Sequence, residues 1–270
     1  MNNWIIVILL AILQGVAEFL PISSSGHLAL LGKIFNMENQ ENAALSIVLH
    51  AGSLVAIAAY YFKTLIGFFK KDQLHLLGMV IIGSIPAGIV GILLKKTDLL
   101  DMLFGDMISV AMGFLITASI LRLTSKEKLR ADSNTELKEI TVKQSIITGL
   151  AQAFAIVPGI SRSGSTIAAG FLSGMKFEAA AAFSFLLALP AIAGASLLEI
   201  IELSRNDFQL GDFSPWQLLT GFAVSAVVSL FSLILLVKII RNRKLSYFAW
   251  YLFFMGAAVI IWQMLLLNRG

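Results

Sequence analysis

The chain has 270 residues, 58% of them hydrophobic and only 13% charged, with a mean hydropathy of +0.87. A soluble domain carries about a quarter charged residues, so this composition excludes one and points to a polytopic membrane protein. The net charge of +4 and pI near 9.3 fit the orientation rule for membrane loops better than nucleic-acid binding, and the absence of cysteine excludes disulfides, zinc–thiolate sites and a cysteine nucleophile.

Taken in order, residues 4–20 are apolar but carry Gln14 and Glu18, and Pro21 breaks them. The start does not read as a signal peptide, because it lacks a basic segment and runs into Gln14 and Glu18 instead of a cleavage site. Ser23-Ser24-Ser25-Gly26-His27 follows, then a short apolar run to Ile34. Each half is too short to cross about 30 Å of hydrocarbon, so the pair is expected to form a re-entrant helical hairpin. Full spans are expected at Ala43–Phe62, Leu76–Leu94 and Met107–Leu123, and the polar stretch Thr124–Lys143 is expected to be a solvated connection.

The pattern then restarts. Ile146–Leu172 is a second apolar pair broken at its centre, followed by expected spans at Ala179–Ile201, Trp216–Ile240 and Tyr247–Leu267. A shift of 138 residues lays Ser23–Leu49 on Ser161–Leu187 without a gap, and nine of the 27 positions are identical, among them Ser23/Ser161, Ser25/Ser163 and Gly26/Gly164. A shift of 134 sets Gly15-Val16-Ala17-Glu18 on Gly149-Leu150-Ala151-Gln152. The expected fold is therefore all-α: one membrane domain over 1–270, with repeats at about 1–125 and 144–270 joined by the connection at 126–143. Each repeat holds one hairpin and three spans. Three being odd, the halves are inverted, and their broken helices meet near the midplane. Fourteen of the twenty Lys and Arg fall on one side of this topology, five on the other, and Arg162 lies within. The positive-inside rule then places both termini and the mouth of the first hairpin outside the cytoplasm.

The densest chemistry lies at Pro158-Gly159-Ile160-Ser161-Arg162-Ser163-Gly164-Ser165-Thr166. A guanidinium in an apolar run needs a partner, and non-helical backbone at membrane depth persists only where protein buries it or a wet cavity receives it. The hydroxyls of Ser161, Ser163, Ser165 and Thr166, with Arg162 and a new helix starting near Ser165, make a site for a phosphate-like anion. Ser23 and Ser25 add hydroxyls from the facing loop. A plain Ser/Gly kink at a helix contact explains the glycines but not Arg162. Glu18 needs a proton or a cation beside an anion, and a divalent ion bridging it to phosphate oxygens, with Gln14 four residues earlier adding a carbonyl oxygen, meets that need. His27, three residues after Ser24, is spaced for a hydroxyl–imidazole hydrogen bond that activates a serine. His50 either lines the pocket or bonds a backbone carbonyl, and His75 is expected to be solvated. No Walker loop, zinc spacing or nucleotide fingerprint is present.

The run from Gln14 to His27 together with Pro158–Thr166 resembles the undecaprenyl-diphosphate phosphatase, or bacitracin-resistance, family over essentially the whole chain. That family's acidic motif reads Glu or Gln, three residues, then Glu, and this chain carries the Gln form. The resemblance implies hydrolysis of the terminal phosphate of a C55 isoprenyl diphosphate, releasing the carrier monophosphate for cell-wall synthesis. It also implies a divalent metal (Mg2+ or Ca2+) and a site open to the outer face of the cell membrane. By motif position, Gln14, Glu18, Ser24, His27, Ser161, Arg162, Ser163 and Thr166 inherit functional roles. The expected partners are the isoprenyl diphosphate and membrane lipids, with no nucleic acid; a homodimer is left open. A transporter for an anionic or lipid-phosphate substrate is the alternative, since inverted repeats with broken helices also build transporters.

Overall fold

A computed structural model describes residues 3–35, 39–70, 73–97, 99–124, 134–205, 213–241 and 245–267. Part of the expected polar connection (125–133) lies outside the described residues, as do Lys71, Arg243, Lys244 and Arg269 of the charge count. The helices are α1 (Asn3–Ala17), α2 (Ser24–Phe35), α3 (Asn39–Tyr60), α4 (Phe62–Gly67), α5 (Leu74–Leu94), α6 (Leu99–Gly105), α7 (Met107–Leu123), α8 (Val142–Phe154), α9 (Arg162–Leu172), α10 (Phe177–Arg205), α11 (Pro215–Arg241) and α12 (Ser246–Leu267). The described residues contain no strand, only an isolated bridge between Thr135 and Met175.

Among the described residues, four helices are long and apolar enough to cross a membrane: Leu74–Leu94, Phe177–Ile201, Pro215–Ile240 and Ser246–Leu266. Asn3–Ala17, Ala44–Tyr60 and Met107–Leu123 are shorter apolar helices. Their outer faces carry large apolar side chains, such as Ile81, Ile85, Ile89 and Ile92 at helical spacing along α5. A multi-pass membrane protein with a lipid-facing exterior follows from these helices.

The two broken pairs pack against these helices, while α1 and α8 also expose apolar faces, with Ile5, Leu9 and Ile12 on one and Ile146, Leu150 and Phe154 on the other. The α1 helix packs on α11, where Gly15 leaves room for Val228, and α8 packs on α5, where Gly149 lies against Gly83. Ser145 donates to the Met79 carbonyl at 2.6 Å across the second contact. Around the hairpins, Phe19, Ile57, Ile167, Phe185 and Leu233 form one buried apolar cluster, and Val110, Phe114, Leu121 and Leu252 form part of another. Asp106 caps α7. The Ser109 hydroxyl above all, and then the backbone N–H groups of Ile108 and Ser109, hold its carboxyl below the usual range.

The loops at the two breaks share one internal pattern. Ser23 Oγ lies 3.3 Å from Ser25 Oγ and accepts the Gly26 N–H at 3.2 Å. Ser161 Oγ lies 3.2 Å from Ser163 Oγ and accepts the Gly164 N–H at 3.1 Å. The loops also face each other. A Cβ on Gly26 would come within 2.9 Å of Gly159 Cα, and one on Gly164 within 3.2 Å of Pro21 Cβ. Gly164 follows Gly26 by 138 residues and Gly159 follows Pro21 by the same number, so the contact is reciprocal, as across a two-fold axis.

The second helix of the second pair starts at Arg162, three residues earlier than expected, because Ser161 caps it through Gly164. His75, expected to be solvated, sits at an exposed position yet bonds the Ile140 carbonyl at 2.8 Å. Gly159 has φ +81, and a Cβ there would drive into the Val110 carbonyl. Gly159→Ala is therefore expected to lose about 2 kcal/mol or more, seen as a lower thermal midpoint in detergent.

Candidate active site

Glu18 follows α1 in the turn before Pro21 and is 6% exposed. Its Oε2 accepts from Gln14 Nε2 at 2.9 Å and from Ser24 Oγ at 2.7 Å. Its Oε1 accepts from Arg162 Nη2 in an ion pair whose carboxylate is buried and whose guanidinium is partly so. His50 Nε2 lies 3.8 Å from Oε2, while His50 Nδ1 lies 2.8 Å from the Ser46 carbonyl oxygen. His50 thus meets both readings of its position: it borders the pocket and bonds the backbone.

This pairing has a local cause. Arg162 is the first residue of α9, so its side chain leaves the helix end toward the facing turn. Ser24 is the first residue of α2, directly after Ser23, whose φ of +67 turns the chain sharply. The carboxylate of the first half is thereby shared by a hydroxyl of its own loop and a guanidinium of the other. Sequence spacing alone assigns Glu18 to a metal and Arg162 to an anion. The structure brings the two together.

The expected Ser24–His27 hydrogen bond does not form. His27 Nδ1 lies 2.8 Å from the Ser23 carbonyl oxygen, which only accepts, so this nitrogen carries the proton in the neutral ring. Nε2 then accepts from the Tyr251 hydroxyl at 2.7 Å, with the two rings stacked. Ser24 instead donates to Glu18.

The remaining hydroxyls divide into two groups. Ser161 and Ser163 are engaged with each other, and Ser163 also donates to the Leu20 carbonyl at 3.4 Å across the loops. Thr166 donates to the Arg162 carbonyl at 2.8 Å and lies 2.5 Å from Ser184 Oγ. Thr117 receives the Ser161 N–H at 2.9 Å. Ser165 Oγ, by contrast, is buried without a partner, as are Gln14 Oε1, Arg162 Nη1 and both amide atoms of Gln152. A buried polar atom left unpaired costs about 1–3 kcal/mol. Among the described residues, all five such side-chain atoms lie on the two broken pairs. The two broken pairs therefore carry polar atoms that a further polar partner would satisfy.

Sequence reasoning missed Tyr251, Thr117, Ser184 and the openness of Gln152. The first three lie on full-length or apolar helices far along the chain, where spacing carries no signal. Gln152 was visible only as the repeat counterpart of Glu18.

The described residues hold no cluster of three or more His, Cys, Asp or Glu that could form a metal cage. They do offer neighbouring oxygens: the Glu18 carboxylate with the Ser24 hydroxyl bonded to it, and the unpaired Oε1 of Gln14, whose Nε2 donates to Glu18. That set suits a hard divalent cation that takes its other ligands from water and phosphate.

The sequence model of the bacitracin resistance protein BacA family matches residues 7–258. A relative from Bacteroides thetaiotaomicron, named undecaprenyl-diphosphatase, is 35% identical over 97% of this chain and 100% of its own length. Proteins of the same name from Treponema denticola (39% identical) and Halothermothrix orenii (40% identical) each align over 94% of this chain and 96% of their own.

Proposed function

Because the chain belongs to the bacitracin resistance protein BacA family, we propose that it is an integral membrane phosphatase. It hydrolyses undecaprenyl diphosphate to undecaprenyl phosphate and inorganic phosphate, recycling the carrier lipid for cell-wall synthesis and conferring bacitracin resistance. The observation that carries this reading is the Glu18–Arg162 pair between the two loops, in which Arg162 Nη1 and the Oε1 of Gln14, itself bonded to Glu18, are buried and unpaired. A diphosphate supplies acceptors for the unpaired donors of Arg162 and Ser165.

The site lies between two inverted halves, each with three spans and one re-entrant hairpin, entered from the outer face of the plasma membrane with both termini outside. The matched hydrogen bonds of the two serine loops and their reciprocal contact support the inversion. The Lys and Arg asymmetry supports the orientation.

In the reaction, one guanidinium nitrogen of Arg162 stays on Glu18 while Nη1 donates to a phosphoryl oxygen, and the N-terminal end of α9 adds partial positive charge. Ser24 Oγ, or a water in its place, attacks the terminal phosphorus, and the bond to the bridging oxygen breaks. Glu18 Oε2, already the acceptor of the Ser24 hydroxyl, is the group placed to receive the proton. His27 fixes the Ser23 turn through Nδ1 and is oriented by Tyr251 at Nε2. If Ser24 attacks, a phosphoserine forms and water then cleaves it, so the net reaction consumes one water. Phosphoryl transfer of this kind needs mainly positioning and charge stabilisation. Gln14, Glu18 and Ser24 would hold Mg2+ or Ca2+, which would supply positive charge against the phosphoryl oxygens.

Detergent-solubilised protein with magnesium or calcium is expected to release inorganic phosphate from an isoprenyl diphosphate, and a chelator is expected to stop it. Detergent leaves no two compartments, so transport gives no signal there. Binding of the lipid diphosphate without phosphate release would favour the transporter.

A further inference from the structure

The second hairpin holds a polar group that the reaction as described does not use. Gln152 is 3% exposed, and neither its Nε2 nor its Oε1 has a partner. Its place is fixed by the register of the limbs. Gln144 Nε2 donates to the Ser173 carbonyl at 3.1 Å, pinning the start of α8 to the end of α9. Gln152 and Ser165 each lie eight residues from that anchor, about 12 Å along helices rising 1.5 Å per residue. They therefore come level near the loop, and Ser165 Oγ is also buried and unpaired.

The repeat says what this arrangement corresponds to. The shift of 134 sets Gln152 on Glu18, and the shift of 138 sets Arg162 on Ser24 and Ser165 on His27. In the first half, the limb residue reaches the start of the next helix, Glu18 to Ser24 at 2.7 Å. In the second half, the equivalent residue makes no such bond. A carboxamide there offers two N–H donors and two acceptor lone pairs without a charge. A second carboxylate would repel a diphosphate. The amide does not.

We propose that Gln152, together with Ser165, is a further substrate-binding element: Gln152 Nε2 and the Ser165 hydroxyl donate to phosphoryl oxygens of the diphosphate, beside the contact from Arg162. This inference rests on the phosphatase reading. It deepens that reading by giving the second half its own phosphate contacts.

The test uses purified full-length protein with magnesium and farnesyl diphosphate as the probe, for wild type, Gln152→Leu and Gln152→Glu. Gln152→Leu should raise KM about tenfold or more through loss of charge-assisted hydrogen bonds. It should leave the thermal midpoint of the substrate-free protein unchanged or higher, because two unpaired polar atoms are removed. Gln152→Glu should raise KM further, by about a hundredfold, because it sets a charge against the diphosphate. The inhibition constant of inorganic pyrophosphate should rise in parallel. An unmoved KM in both variants, or a lower thermal midpoint for Gln152→Leu, overturns the assignment and makes Gln152 structural. Wild-type turnover separates the two levels. With turnover and unmoved variants, only the Gln152 inference fails; without turnover, the phosphatase reading fails and takes the inference with it.

Discussion

Arg162→Lys is expected to keep the fold and lose about two orders of magnitude or more in kcat/KM toward an isoprenyl diphosphate. The reason lies in how the guanidinium is divided. Nη2 bonds Glu18, while Nη1 is buried and unpaired. Arginine can thus hold the carboxylate and a phosphoryl oxygen at once, with a rigid fork. A lysine has a single nitrogen at the end of a flexible stem. It would stay on Glu18, preserving the ion pair and the stability that depends on it, and leave the phosphate without its donor. Arg162→Ala should behave differently, because it strands a buried carboxylate and costs about 3–5 kcal/mol. Steady-state kinetics and thermal unfolding on expression-matched protein separate these outcomes. Near-normal turnover in the lysine variant would sink the anion-site assignment.

That division of one side chain between two charges marks the limit of what the sequence discloses. The helices were legible because long apolar runs bounded by Pro, Gly and charge leave few alternatives, and α5, α7, α10, α11 and α12 fall within a few residues of their expected bounds. The facing loops were legible through Ser23/Ser161 and Gly26/Gly164, whose identity at one shift reappears as matched hydrogen bonds. The partners of each polar group were not. Glu18 and Arg162 are 144 residues apart, and reading each by its own surroundings gave one a metal and the other an anion. Two opposite charges in a low-dielectric interior pair with each other first. Likewise the Ser24–His27 spacing suggested a bond, but the left-handed turn at Ser23 sends the His27 Nδ1 proton to the Ser23 carbonyl. Tyr251, 224 residues away, then takes Nε2. A spacing rule knows nothing of a helix that arrives from the far end of the chain.

Glu18→Gln is expected to lower kcat by about two to three orders of magnitude and to flatten the response to added magnesium, because it removes the one carboxylate that joins Gln14, Ser24 and Arg162. Its effect on binding should run the other way from that of Arg162→Lys. With no carboxylate to hold it, the whole Arg162 fork is free for the diphosphate, so the affinity for inorganic pyrophosphate should hold or tighten even as turnover collapses. Stability supplies the independent check. The partly buried guanidinium loses its counter-charge, so the substrate-free variant should melt earlier than wild type. Pyrophosphate should restore more of that loss than it adds to wild type, since a ligand that binds only the folded state stabilises it in proportion to its affinity. A variant that keeps the wild-type magnesium titration would show that the ion is held elsewhere. One that melts early and is not rescued by pyrophosphate would show that Arg162 does not face the phosphate. The two charges are thus separable by experiment although they are paired in the structure: one is needed to bind the diphosphate, the other to turn it over.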